Sequence, residues 1–338
     1  RLLLYDATTM TFDEVRLRYT FGYLESEQWG RFTFGRRGGA SSDIAGVNFS
    51  VTGEVFAFYA QANTGNTMFL RTADGRLSDT TWGTLRRNNG TAPGEGFRAE
   101  VVRYDSPAVA GFRATATWGE DDYWDIGLRY TGKLRDLKLD VFAIYGVNSE
   151  NGNNSGLSCL ANSDQHPLSR RDAHCNHAIG VMSAMHEPSG LYANFALGRF
   201  HDDLILQTTA FAGTGADDNN DFWAAEIGIA RQWFDIGKTT IFGQHFQFHC
   251  GANARLFADA ADAANPFGVT SRRFDSGMHS WSGGIVQNIS EANMDFYVLY
   301  RRMQASAHFK EGVSGAGALA DVEFEPFQYI LTGAVIRF

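Results

Sequence analysis

The stretch Phe97–Tyr145, FRAEVVRYDSPAVAGFRATATWGEDDYWDIGLRYTGKLRDLKLDVFAIY, decides the fold. It divides into four runs at Ser106-Pro107, Gly119–Asp122 and Gly132–Arg135, and within each run apolar and polar residues alternate. In Trp124–Tyr130, one face carries Trp124, Ile126, Leu128 and Tyr130, and the other Asp125, Gly127 and Arg129. Phe112–Trp118 sets Phe112, Ala114, Ala116 and Trp118 against Arg113, Thr115 and Thr117. Side chains on a strand point alternately to opposite faces, so the pattern is a sheet with one apolar and one hydrated face. A soluble antiparallel sheet on a core gives the same alternation. What has to be decided is which face is inside.

The composition of the whole chain narrows the choice. The 338 residues show no compositional break that would mark a linker, and they combine 37 Gly and only 6 Pro with 14% aromatic residues. Mean hydropathy is slightly negative. No apolar run approaches the roughly 18 residues of a membrane helix. A transmembrane β-barrel has this profile, because only every second strand residue meets lipid. A formal net charge of −9 argues against nucleic acid as a partner. The chain begins at Arg1 rather than Met, so the lack of a signal peptide says nothing about compartment.

Taken in order, Arg1–Asp6 is a weak strand candidate and Asp13–Glu25 a better one, with Arg16, Arg18 and Thr20 opposite Val15, Leu17, Tyr19 and Phe21. Trp29–Arg37 follows after a short turn. From Gly38 to Gly96 the alternation fails, and a connection of that length is usually a functional loop. Further strands are expected at His177–His186, Leu191–Phe200, Phe222–Trp233, Thr239–Phe248, Trp281–Ile289, Met294–Arg302 and Phe327–Phe338. Between them lie polar loops at 148–175, 201–220, 251–275 and 312–320, with one or two helical turns expected in Ala254–Ala264. Long and short connections alternate. In an up-and-down barrel this puts the long loops at one rim and the tight turns at the other, the outer-membrane arrangement. The expected fold is therefore all-β, a single transmembrane antiparallel up-and-down β-barrel domain spanning 1–338.

At this point the chain resembles the alphaproteobacterial branch of the general porins. The resemblance rests on Trp29–Arg36 (WGRFTFGR) with Ala40–Gly46 (ASSDIAG), on Val102–Pro107 (VRYDSP) with Gly111-Phe112, and on Trp118–Asp125 (WGEDDYWD). Weaker similarity continues through Pro188–Tyr192 to the terminal Phe338, itself like the assembly signal of outer-membrane barrels. The resemblance implies a 16-stranded homotrimeric barrel in the outer membrane, in contact with lipid and lipopolysaccharide, passing small hydrophilic solutes and ions. Its third extracellular loop would fold into the lumen, and 38–96 matches that loop in position. About 13 strands follow Asp13, so the first strands are expected to be incomplete in this chain.

With apolar faces outward, the lumen receives Arg16, Arg18, Arg31, Arg103, Asp105, Arg113, Asp125, Arg129, Lys138 and Asp140. Arg36 lies beside the loop and is either pore-lining or an anchor. The arginines make a basic wall, and Asp43 and Glu54 of the loop are placed to face it and set up a transverse field. Trp118, Trp124, Tyr130, Tyr145, Trp233, Tyr300 and Phe338 fit interfacial girdles. Among three cysteines, Cys159 and Cys175 are paired as a loop disulfide, leaving Cys250. His166, His174 and His177 match no standard zinc spacing. Asp217–Asp221 and Asn148–Asn154 are oxygen-rich enough for calcium but fit no EF-hand loop, and a solvated loop is preferred. Sequence motifs for catalysis are lacking: there is no G-x-S-x-G elbow and no H-E-x-x-H. The competing readings are an outer-membrane barrel enzyme of the protease or acyl-hydrolase type, using groups such as His201, Asp202, Asp203, His245 and His249, and a soluble all-β carbohydrate-binding protein.

Overall fold

The structure is a computed structural model that describes residues 19–50, 52, 68–73, 75, 77–82, 92–96, 98–119, 122–149, 175–202, 217–251, 256–257, 271–310 and 319–337. Its strands are β1 (Thr20–Ser26), β2 (Gly30–Gly38), β3 (Phe69–Arg71), β4 (Leu77–Thr81), β5 (Arg98–Asp105) and β6 (Phe112–Gly119). They continue with β7 (Tyr123–Leu134), β8 (Leu137–Asn148), β9 (Cys175–His186), β10 (Leu191–His201), β11 (Asn219–Phe234) and β12 (Gly237–Cys250). The last are β13 (Leu256–Phe257), β14 (Ser271–Ile289), β15 (Met294–Lys310), β16 (Leu319–Glu323) and β17 (Phe327–Ile336). All but β3 and β4 belong to one 15-stranded antiparallel meander. β16 and β17 pair with the upper and lower parts of β15, so they act as one broken strand. Among the described residues the first and last strands are not paired with each other, and the strand candidate Arg1–Asp6 lies outside them.

Connections at the lower end are short throughout: 27–29, 106–111, 135–136, 187–190, 235–236 and a 3-10 turn at Ser290–Ala292. The upper end holds the long ones, with 120–122 as a short exception. β11, β14 and β15 run to 16, 19 and 17 residues, longer than the roughly 9–11 that cross a bilayer. They rise above the membrane band, and so they enter segments expected to be loops. Leu256 and Phe257 pair with Ser271 and Arg272 as strand, where helical turns were expected.

Register settles the faces. Tyr23, Thr33, Arg103, Thr117, Asp125, Gly146, His177 and Phe200 form one cross-strand row. Residues opposite one another in a ladder share a face, and loop residues 40 and 41 bond to Thr117 and Asp125 of this row. The row therefore faces inward. Trp124, Ile126, Leu128, Val141, Tyr145, Leu197, Ile227, Ile241 and Ile285 face outward and are exposed. Trp118, Trp124, Tyr145, Trp223 and Trp281 edge this apolar band near the upper end, and Phe112, Tyr130, Trp233 and Phe234 near the lower. Phe338 lies outside the described residues.

Two expectations about faces are corrected. Tyr19 and Phe21 were placed outward, but with Tyr23 they share the inward face of β1, because Tyr23 pairs with Thr33. The inward face is also not polar throughout. From β8 onward it carries Phe142, Ile144, Ile179, Val181, Ala196, Phe222, Ala224, Phe246, Phe248, Met278 and Met303, buried in one cluster with Ala40, Ile44, Ala45, Leu70, Trp82 and Ala92 of the long loop. A fully buried Phe contributes roughly 2 kcal/mol. These strands are apolar on both faces because lipid covers one and the chain's own loop the other.

A basic wall and an inward-folded loop

The long loop is fastened at its start by one buried carboxylate. Asp125, with no exposed surface, accepts the backbone N–H of Ala40 (3.1 Å) and of Ser41 (2.9 Å), the Ser41 hydroxyl (2.7 Å) and the Tyr123 hydroxyl. Thr117 Oγ1 accepts a second bond from Ala40 N at 2.9 Å, and Arg103 Nη1 donates to Gly39 O at 2.9 Å. A Cβ at position 39 would strike Tyr123 and Asp125, so the loop can lie this close only through glycine. The motifs ASSD and WGEDDYWD are therefore two halves of one joint.

From there the chain crosses the inner wall. Phe49 N donates to Ser183 Oγ of β9 at 3.0 Å, and Thr52 Oγ1 donates to Glu226 Oε1 of β11 at 2.7 Å. Glu226 also accepts from Ser50 (3.2 Å), Asn194 (3.1 Å) and Gln244 (2.5 Å). Arg301 closes the network through Gln244 Oε1 (3.1 Å), Ser282 Oγ (3.2 Å) and Tyr329 OH (3.2 Å). The hairpin β3–β4 meets the last strands, where Glu325 N donates to Arg71 O at 2.7 Å and Trp82 packs on Phe327. The returning leg ties back on the first: Gly96 N donates to Ser41 O (3.1 Å), and Ala45 N donates to Glu95 Oε1 (3.2 Å). Burial raises the Glu95 carboxyl to about pKa 8, against the opposing pull of the N–H groups of Ala45, Ala92 and Ile44.

Among the described residues, the loop leaves open the inner face of β1 and β2 and the lower parts of β5–β8. Arg37, Arg103, Arg31, Arg113 and Arg129 descend this wall, and Lys133 and Lys138 stand at its foot, where both pair with Glu187. Arg103 is held by Asp105 through Nε (3.0 Å) and Nη2 (2.8 Å), and Arg129 by Asp140 through Nε (2.8 Å). No carboxylate pairs with Arg31, Arg37 or Arg113 among the described residues. The expected set is thus brought together on one wall as Arg31, Arg103, Arg113 and Arg129.

Arg36 departs from it. It shares the outward face with Phe32 and Phe34 and lies 3.8 Å from Glu100 on the same face, because strand parity sets it opposite Arg37. Asp43, in a left-handed turn (φ 59°), does not face the wall across a pore. It accepts the Tyr19 hydroxyl at 3.5 Å near the upper rim, beside Arg98. Asp125 has moved from lumen charge to loop anchor. The paired Gly38-Gly39 opposite an acid between aromatics was the signal available for it. Arg16, Arg18 and Glu54 lie outside the described residues. Cys175 is disulfide-bonded, and Cys159, the expected partner, lies outside the described residues, as do His166 and His174. His177 is buried in the wall, its ring stacked on Tyr123 at 6.0 Å.

At the upper rim Asp217 accepts from His249 (2.9 Å) and Asn219, Asp218 lies 3.5 Å from His201, and Asp221 is bonded by Arg199 (2.6 Å). Hydrogen bonds to Asn219 and His249 hold Asp217 below the usual carboxylate range despite partial burial. These oxygens are engaged by side chains rather than gathered for calcium. No group of three or more His, Cys, Asp or Glu among the described residues is placed to hold a metal.

A meander with short turns at one end, an exposed apolar band edged by aromatics and a polar or loop-covered interior is the architecture of a bacterial outer-membrane β-barrel, and the outer membrane is its location. No family model and no curated protein matches the sequence. Among solved structures it is similar to outer-membrane expressed OmpT of Vibrio cholerae, at 11% identity and a TM-score of 0.43, over 90% of this chain and 76% of that one. An in-vitro folded, trimeric form of OmpT from the same organism matches at 12% identity and a TM-score of 0.41, over 90% and 77%. At those TM-scores neither bears on what this chain does.

Proposed function

We propose that this chain is a porin, a water-filled channel through which small hydrophilic solutes and ions cross the outer membrane by passive diffusion. The observation that carries the reading is the loop crossing the interior from Asp125 to Glu226 while, among the described residues, Arg31, Arg37, Arg113 and Arg129 stay uncovered on the opposite wall. A loop fixed inside a barrel narrows its cross-section, and charged side chains lining the remainder set which ions enter. Arg31, Arg37 and Arg113 have no carboxylate partner among the described residues, which favours anions over cations. The resemblance to the general porins supports the same function and adds the homotrimer with its lipid and lipopolysaccharide surroundings. No bond-making step belongs to this reading, so the chain is not an enzyme in it.

Reconstitution into planar bilayers tests the proposal. Ohmic steps and a reversal potential across a KCl gradient that favours chloride are expected. The double variant Arg31→Glu with Arg113→Glu moves that potential toward potassium. An absence of channel steps from folded, heat-modifiable protein would sink the reading.

The second reading, an outer-membrane barrel enzyme, is favoured by one observation, the 2.9 Å His249–Asp217 pair at the upper rim, where such enzymes work. Of the other groups in that reading, His201 lies at the same rim, 3.5 Å from Asp218, but Asp202 is buried, Asp203 lies outside the described residues, and the His245 ring sits between Trp223 (4.6 Å) and Trp281 (4.0 Å) on the outward face. Hydrolysis of a peptide or phospholipid by the purified barrel, lost in His249→Ala, would establish it. The soluble carbohydrate-binding alternative needs a second sheet over the apolar face, which is instead the exposed outer band.

A further inference from the structure

We infer that the inner face of β1 and β2 is a binding track for small anions that carry an aromatic ring, benzoate being the simplest. This rests on the reading of the chain as a channel and names the class of solute it favours. Elsewhere in the sheet, exposed aromatics point outward. On β1 the direction is reversed: Tyr19, Phe21 and Tyr23 share the inward face, and they are 38%, 42% and 51% exposed. Thr20, Gly22 and Leu24 take the other side. Rings left in contact with lumen water give up the hydrophobic gain that burial would bring, so their position calls for an occupant.

Each ring carries a guanidinium. The Arg98 Cζ stands 5.3 Å from the Tyr19 ring centre, Arg37 5.2 Å from Phe21 and Arg31 3.8 Å from Tyr23. Arg31 and Arg37 are thereby held flat by π-faces rather than by carboxylates. Arg31 Nε is buried without a hydrogen-bond partner, and a single N–H of Arg37 reaches Thr33 Oγ1 at 3.3 Å. The remaining donors are open to a ligand. The neighbouring Arg103, neutralised by Asp105, shows the alternative that these two positions avoid. Among the described residues the loop lies to one side of this face: residues 39–41 bond to β6 and β7, and Asp43 meets Tyr19 at the rim.

The chemistry follows from the pairing. A carboxylate takes charge-assisted bonds from a guanidinium edge, which chloride and aliphatic acids share. An aromatic ring beside that carboxylate adds stacking on the guanidinium plane and edge-to-face contact with Phe21 or Tyr23. The Tyr19 and Phe21 ring centres are 6.5 Å apart, so a benzoate leaving one pair is already within reach of the next. Aromatic cations meet the same rings but are repelled by the arginines.

The test adds potassium benzoate or potassium cyclohexanecarboxylate, equal in charge and similar in size, to channels conducting in KCl. In parallel, saturation-transfer NMR follows each acid on the detergent-solubilised protein. Benzoate is expected to reduce chloride current about threefold more than cyclohexanecarboxylate, the size of one exposed aromatic contact, and to give the stronger NMR transfer. Phe21→Leu with Tyr23→Leu keeps apolar bulk without the rings. It should remove both differences in protein that remains folded and heat-modifiable. Equal responses to the two acids in the wild type, or a preference that survives the leucine pair, overturn the inference. Loss of chloride current in the wild type itself counts against the channel reading, and the NMR comparison then decides the track alone.

Discussion

At the residue scale, the interior depends on two buried carboxyl groups. Asp125 is surrounded by donors: two backbone N–H groups and the hydroxyls of Ser41 and Tyr123. Charge-assisted bonds of this kind contribute about 1.5–3 kcal/mol each. Asp125→Asn offers an amide N–H where a donor already points, so it should loosen residues 39–41 by roughly 3 kcal/mol. The expected outcome is faster proteolysis within 39–97 and noisier single-channel current, with the barrel still folded by circular dichroism. Glu95 is the second, with its pKa at about 8 against 4.5 when free. Because the folded group holds its proton to higher pH, its contribution to stability is complete below 4.5, falls as pH rises and is lost on passing 8. Loop proteolysis should therefore accelerate between about pH 4.5 and 8 and level off above that, and Glu95→Gln should flatten that profile. A wild-type profile without slope, or an unchanged slope in the variant, refutes the assignment. The sequence carries only a faint mark of the Asp125 role, in Gly38-Gly39 and the flanking aromatics, and none of the Glu95 role, because both acids bond to groups 50 or more positions away, such as Ala45 with Glu95 and Ser41 with Asp125.

At the element scale, strands were legible wherever one face differed from the other. β7 was placed from Trp124–Tyr130 because Asp125 and Arg129 alternate with Trp124, Ile126 and Leu128. β8 carries less of that signal. Val141, Ala143 and Tyr145 meet lipid, while Phe142 and Ile144 meet the loop, so an apolar-out, polar-in rule fails there for a physical reason. The same rule misplaced Tyr19 and Phe21, where the rings face water. The direction of each face has a measurable cost. Ile126 is 54% exposed on the lipid face between the Trp124 and Tyr130 rings. An arginine on this face costs up to about 2–4 kcal/mol, most at the bilayer midplane. Ile126→Arg should lower folding stability in vesicles by that amount, while Arg113→Ser, whose parent faces the lumen, should cost under about 1 kcal/mol. Equal losses would mean that the faces have been assigned the wrong way round.

At the scale of the whole molecule, the loop divides the interior into a dry half and a wet half. Against β8–β15 the loop buries an apolar cluster and the Glu226–Gln244–Arg301 network; against β1–β7 it leaves arginines facing water. Barrel class and loop position were legible because turn lengths and alternation are local properties. The division was not, since it depends on contacts such as Thr52 with Glu226, 174 residues apart. It has a consequence that a uniformly lined pore would not share. Glu226 is 1% exposed, and its oxygens are taken by Ser50, Thr52, Asn194 and Gln244, so ions in transit cannot make contact with it. Glu226→Gln keeps the shape and most of the acceptors. It should leave the reversal potential in a KCl gradient within error of the wild type, although it replaces an acid on the inner face. Arg31→Glu with Arg113→Glu, on the wet side, should shift the potential by tens of millivolts, a magnitude set by inverting two unscreened lumen charges. If Glu226→Gln moves the potential as far as one of those reversals does, water reaches β11, and the solute path does not run along the basic wall alone.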